Sequence, residues 1–214
     1  IDKIASTYDL KVIYGIASAM SYLHSHNIIH RNLTTSSIFN TIERMPKLGG
    51  FDLSIDLSNY HQEKDDKIKG VPSHLAPEIY TNKEYSKASD VYSFAMVLYE
   101  IITYKKPFND CLNPNEIKEK VVNLKQRPAF DVPINQTYRR LIERCWSQEP
   151  KERPTFDEIL QELRTNRGFI SEEMDEDNFR KYIQFLNDTP LVFQPEKKIT
   201  YLDKIFNNQL HTFQ

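Results

Sequence analysis

Between Ser86 and Tyr104 the chain carries Val91, Tyr92, Phe94, Ala95, Met96, Val97, Leu98, Tyr99, Ile101 and Ile102, apolar on nearly every face of a helix. A helix without a polar side has no face to offer to water. It must therefore run through the middle of a domain, with other elements packed around it. The flanking sequence supplies that surround. From Leu10, the residues Ile13, Ile16, Ala17, Met20 and Leu23 recur at steps of three and four, which places them on one helical face. Ser6 followed by Asp9 has the spacing that caps a helix start. Further helices are expected at 114–123, 135–146 and 155–164, with Pro107, Pro114, Pro133, Pro150 and Pro154 at or near the breaks. Pro114 suits a first helical turn, where a missing N–H costs little.

Strand signals are brief. The pairs Ile28-Ile29 and Ile38-Phe39 read as loop and short strands, with a small hairpin expected between Ile38 and Leu48. Residues 54–73 are polar, charged and without period, as a solvated loop would be, and end near Pro72. After Arg164 the composition turns acidic at Glu172-Glu173-Met174-Asp175-Glu176-Asp177, followed by Phe179, Tyr182, Ile183 and Leu186 at helical spacing. This predicts an appended amphipathic helix whose acidic first turn complements the helix dipole. A calcium loop would need a glycine and a terminal glutamate that are missing here. The expected architecture is mainly α.

The formal net charge of −2 offers no global attraction to nucleic acid or an anionic membrane, so neither is expected as a partner. No apolar run reaches the roughly 18 residues needed to span a bilayer. Cys111 and Cys145 imply no disulfide framework, and a reduced, cytoplasmic compartment is expected. Beginning at Ile1 rather than Met, the chain reads as a fragment of something longer. His24, His26 and His30 might be taken for a zinc cluster, but His24 and His26 read as surface residues at a polar helix end, and no metal is expected.

Five segments occur in an order with family meaning: His30-Arg31-Asn32-Leu33-Thr34-Thr35-Ser36-Ser37, Gly50-Phe51-Asp52, Ala76-Pro77-Glu78, Ser89-Asp90-Val91-Tyr92-Ser93-Phe94, and Cys145-Trp146 through Arg153-Pro154-Thr155-Phe156. Together they resemble the landmarks of a protein kinase C-terminal lobe, closest in style to the tyrosine-kinase-like group. The resemblance covers residues 1–165, leaving 166–214 as a C-terminal extension. It implies an α+β superfamily fold of which the N-terminal β lobe is absent from this chain. Fewer than ten residues precede the first helix, and the five glycines, Gly15, Gly49, Gly50, Gly70 and Gly168, permit no Gly-x-Gly-x-x-Gly phosphate loop.

In the family, the catalytic loop reads His-Arg-Asp-Leu-Lys-x-x-Asn and the metal-binding triplet Asp-Phe-Gly. Here Asn32 stands where an aspartate would take the substrate hydroxyl's proton, and a neutral amide is no base. Losing a positioned base costs about two to four orders of magnitude in rate. Thr34 replaces the lysine that neutralises the transferring phosphoryl group, Ser37 the asparagine that helps hold magnesium, and Gly50 the aspartate that bridges magnesium to the phosphates. Asp52 stands two residues late for that metal. No cofactor is expected; ATP and Mg enter only by family analogy.

The same resemblance implies structural roles. His30 and Phe51 match a hydrophobic column joining the lobes, Asp90 an aspartate that ties the catalytic-loop backbone to the central helix, and Glu78 with Arg153 a buried ion pair. Arg31 matches a residue that receives a loop phosphate in some members, with Ser54, Ser58, Tyr60 and Ser73 as candidate acceptors, against a reading in which it bonds nearby backbone. Val71 and His74 depart from the threonine and aromatic residue usual before Ala-Pro-Glu, which argues against a substrate-peptide groove. The leading expectation is a catalytically inactive pseudokinase lobe that binds a protein partner or acts allosterically in signalling. The alternatives are an active or weakly active ATP-dependent kinase completed by an N-terminal lobe, and a truncated gene product without function.

Overall fold

A computed structural model describes residues 5–41, 45–58 and 67–189. The first helix, α1 (Thr7–Ser25), starts on a full capping box: Ser6 Oγ accepts from the Asp9 N–H at 3.1 Å while the Asp9 carboxylate accepts from the Ser6 N–H at 2.8 Å. A two-stranded pair follows, β1 (Ile28–Ile29) with β4 (Ile55–Asp56), antiparallel with Ile28 opposite Asp56. Inside it lies a hairpin of β2 (Ile38–Asn40) and β3 (Pro46–Leu48), with Ile38 opposite Leu48. The chain then runs through α2 (Pro77–Asn82), α3 (Lys87–Thr103), α4 (Pro114–Lys118) with a π-helical turn at Glu119–Asn123, α5 (Gln136–Cys145), α6 (Phe156–Thr165) and α7 (Glu176–Asp188).

Helix α3 is the centre. It begins at a capping box on Ser86 and Ser89, and every residue from Ser89 to Glu100 is buried. Helices α1 and α5 and the turns before α2 and α6 pack around it, and Phe156 of α6 meets Phe94 edge-on at 5.2 Å, so its apolar faces are covered from several sides. Trp146, at the end of α5, sits with Tyr99 and Phe130 at ring separations of 6.3 and 5.4 Å, joining the α3 core to the following loop. The mainly helical fold, with two two-stranded sheets among the described residues, is that of a kinase C-terminal lobe. One pairing was not legible in the sequence: β4 lies in the stretch read as loop, because two residues of antiparallel pairing leave no alternation to detect.

Beyond α6, helix α7 lies along α1. Asp175 N–H donates to Thr7 Oγ1 at 2.9 Å, Lys11 pairs with Asn178, and Phe179 and Tyr182 meet Tyr14 edge-on at 5.7 and 6.4 Å. Arg164 donates to Tyr14 Oη at 2.5 Å and to Asn187 at 3.1 Å. The only helix-interior glycine of α1, Gly15, faces Tyr182: a Cβ there would fall inside the contact distance of Tyr182 Oη and 2.9 Å from Pro46 Cγ.

Candidate functional site

The catalytic-loop segment is built around one carboxylate. Asp90, in the first turn of α3 and 1% exposed, accepts from the His30 N–H at 2.8 Å and the Arg31 N–H at 2.9 Å. It also takes the Nε2–H of His24 at 3.0 Å, since a carboxylate only accepts. Three donors around one buried carboxylate replace its hydration and anchor the loop to the central helix. His24 is thus not the surface residue expected from its place at a helix end. It lies on the stripe Ile13, Ala17, Met20, and that periodicity was the signal for its burial.

His30 is fully buried. Its Nε2–H donates to the Gly49 carbonyl at 2.9 Å, and its Nδ1 accepts from the Asn32 N–H at 3.3 Å, so both ring nitrogens are used by a neutral imidazole. Burial pushes its pKa below the ordinary value, in keeping with that neutral form. The ring of Phe51 approaches it at 5.2 Å and remains 41% exposed.

Of the four positions that differ from the family pattern, Thr34, Ser37 and Gly50 are folded onto each other. Ser37 Oγ–H donates to the Thr34 carbonyl at 2.7 Å and accepts the Thr34 N–H at 3.0 Å. Its hydroxyl is therefore spent inside the loop, closing the 3-10 turn Thr35–Ser37. Gly50 sits in the left-handed region, at φ 77°, where a Cβ would come 3.1 Å from Ser37 Cβ. Asp52 is exposed in the turn that follows. Among the described residues, no three His, Cys, Asp or Glu side chains converge on a position that could hold a metal ion. The residues present do not fit a magnesium–nucleotide complex: one position has lost its carboxylate and the other has turned its oxygen inward.

A polar cluster that sequence reasoning missed flanks this loop. Glu100, on α3, accepts from Thr35 Oγ1 at 2.5 Å and from Lys106 Nζ at 2.7 Å. His74 Nε2 lies 3.6 Å from its other oxygen. Burial outweighs the attraction of Glu100 and lowers the His74 pKa to about 4, so this contact is not an ion pair. Nε2 stays without a hydrogen bond. A carboxylate inside an all-apolar stretch had no periodic signature to betray it.

Glu78 and Arg153 meet as a bidentate pair, at 2.7 and 2.8 Å, with the Arg153 side chain fully enclosed. The same guanidinium donates to the carbonyls of Ser147 at 2.9 Å and Ala88 at 3.0 Å, joining the start of α2, the start of α3 and the turn before α6. Arg31, at φ 63°, donates through Nε to the Leu53 carbonyl at 2.5 Å and lies over the Tyr85 ring at 5.0 Å. Of the loop hydroxyls, Ser54 donates to the His30 carbonyl at 3.3 Å, Ser58 is exposed and Ser73 half-buried; Tyr60 lies outside the described residues. Cys145 is buried with its thiol pKa pushed up by desolvation, which makes it packing rather than a nucleophile. No helix among the described residues is long and apolar enough to cross a membrane.

Comparison with known proteins matches this geometry to a family. A family profile described as protein tyrosine and serine/threonine kinase matches residues 2–163. Among curated relatives from Dictyostelium discoideum, the dual specificity protein kinase shkC is 36% identical over 157 residues, covering 72% of this chain and 31% of its own length. The dual specificity protein kinase pyk3 is 33% identical over 203 residues, 94% of this chain and 13% of its own length. The RGS domain-containing serine/threonine-protein kinase A is 34% identical over 146 residues, 68% of this chain and 12% of its own length. The chain thus spans less than a third of each of these relatives. The pyk3 match covers 94% of this chain, so α7 falls within the shared region. With a profile match over most of its length and relatives named as protein kinases, the chain belongs to the protein tyrosine and serine/threonine kinase family.

Proposed function

We propose that this lobe is a pseudokinase module that binds a protein partner, or transmits a conformational state, within a cytoplasmic signalling protein, without transferring phosphate itself. The observation that carries the reading is the closed arrangement of Thr34, Ser37 and Gly50. The hydroxyl of Ser37 is consumed by the Thr34 backbone, and Gly50 brings no side chain to the place beside it. Asn32 adds a neutral amide at the position of the base. These losses remove proton acceptance, metal binding and charge neutralisation together, which are the three things phosphoryl transfer asks of this lobe. The supports of the fold, Asp90 beneath the loop and the Glu78–Arg153 pair, have the partners a stable scaffold needs.

The names of the relatives favour a second reading. They are called kinases, and a lobe like this one, joined to an N-terminal lobe, would then be an enzyme of altered chemistry. A phosphate-transfer assay on the full-length protein separates the two. The expected result is no magnesium-dependent turnover; turnover that disappears in Asp52→Ala would overturn the proposal. A thermal-shift measurement with Mg-ATP gives the binding half of the answer, with no shift expected.

A further inference from the structure

The chain that returns from the loop toward α2 is held by contacts that use no phosphate. Tyr85 Oη accepts from the Lys69 N–H and donates to the Lys69 carbonyl, both at 2.7 Å. Tyr80 Oη donates to the Pro72 carbonyl at 2.7 Å. Two tyrosines thus clasp the backbone on either side of Gly70. At φ 109°, Gly70 brings that backbone so close to Arg31 that a Cβ would lie 3.0 Å from the Arg31 carbonyl oxygen. The guanidinium of Arg31 covers the Tyr85 ring at 5.0 Å, while its Nε holds the Leu53 carbonyl at 2.5 Å. One side chain therefore touches the beginning of the segment at Leu53 and, through Tyr85, its end at Lys69.

From this arrangement we infer that Arg31 and Tyr85 form a latch that holds the backbone at Leu53 and at Lys69 in the unmodified chain, so that the docking of these two positions does not wait for phosphorylation. The physical reason is that the guanidinium already has a partner at each place: its Nε–H is given to the Leu53 carbonyl and its face to the Tyr85 ring, so a phosphate reaching its remaining N–H groups adds to a docked arrangement instead of creating one. The inference does not rest on catalytic inactivity, since the latch would act alike in an active or an inactive lobe.

Amide hydrogen exchange on the intact protein, produced without phosphate as verified by mass, tests the latch. The Lys69 amide is expected to be protected in that unmodified protein. Tyr85→Phe keeps the ring under Arg31 but removes both hydrogen bonds, and should speed Lys69 exchange about fivefold or more while the α3 amides stay unchanged. Arg31→Gln reads the same amide from the other side, and should speed its exchange even if the tyrosine variant folds poorly. An unprotected Lys69 amide in the unmodified protein would overturn the inference, as would unchanged exchange in the two variants. So would a Lys69 amide that becomes protected only once the loop is phosphorylated.

Discussion

Replacing Gly15 by alanine sets two computable effects against each other. Inside a helix, alanine is favoured over glycine by about 1 kcal/mol, so on local grounds Gly15→Ala stabilises α1. The tertiary contact opposes it. The new methyl would collide with Tyr182 Oη and crowd Pro46 Cγ at 2.9 Å. The Tyr182 ring is wedged edge-on against Tyr14 beside Phe179, so it cannot retreat without carrying α7 with it. Phe179 and Tyr182 are 3% and 4% exposed, and returning two such rings to water costs about 4 kcal/mol. The Tyr182 hydroxyl has no hydrogen-bond partner, so the displacement forfeits packing alone. A net loss of about 1 to 3 kcal/mol is expected, read from urea midpoints, with early exchange of the α7 amides while α3 stays protected. Adding Tyr182→Phe removes the colliding oxygen and should recover about 1 kcal/mol in a double-mutant cycle. If Gly15→Ala instead proves more stable by about 1 kcal/mol with α7 exchange unaltered, the docking of α7 on α1 is refuted.

Arg153→Ala leaves the Glu78 carboxylate and the carbonyls of Ser147, Ala88 and Gln148 without that donor and should cost about 3 to 5 kcal/mol, whereas Tyr92→Phe, which deletes a buried hydroxyl that has no partner, should leave the urea midpoint nearly unchanged. For His74, burial lowers the folded pKa from 6.5 to about 4. The unfolded chain then takes up its proton first as pH falls, so stability is full above 6.5 and declines between 6.5 and about 4, by about 3 kcal/mol in all. Denaturant titrations across that window should show a flatter slope in His74→Gln, and an equal slope would remove His74 as the cause. Gly50→Asp places a side chain at φ 77° against Ser37 and should cost about 1 kcal/mol, with no gain of a magnesium-dependent ATP shift; such a gain would show the metal site to be recoverable by one substitution.

Much of the fold was legible because its signals are local. The all-apolar run of α3, the capping box at Ser6 and Asp9, and the prolines between the later helices each act within a turn or two of chain. That Asn32, Thr34, Ser37 and Gly50 carry no ionisable side chain was visible in their letters, and the proposed loss of phosphoryl transfer starts from it. The site's wiring was not. The stripe Ile13, Ala17, Met20 marks His24 for burial, but the partners that His24 and Glu100 reach, Asp90 and Thr35, lie 66 and 65 positions away, and periodicity within a helix says nothing about a neighbour so distant.

The sequence alone determined that a helix apolar on nearly every face needs a surrounding lobe and that Asn32, Thr34, Ser37 and Gly50 bring no charged side chain, because hydrophobic period and side-chain charge are properties of the chain itself. Tertiary structure decided the rest: that Ser37 turns its oxygen into the Thr34 backbone, that Arg31 spends its guanidinium on Tyr85 and Leu53, and that α7 is seated on a glycine of α1. Each of these depends on which of several available partners a side chain reaches. That choice is made by close packing, where a contact at 3 Å excludes its alternatives, and not by the preference of any residue taken singly.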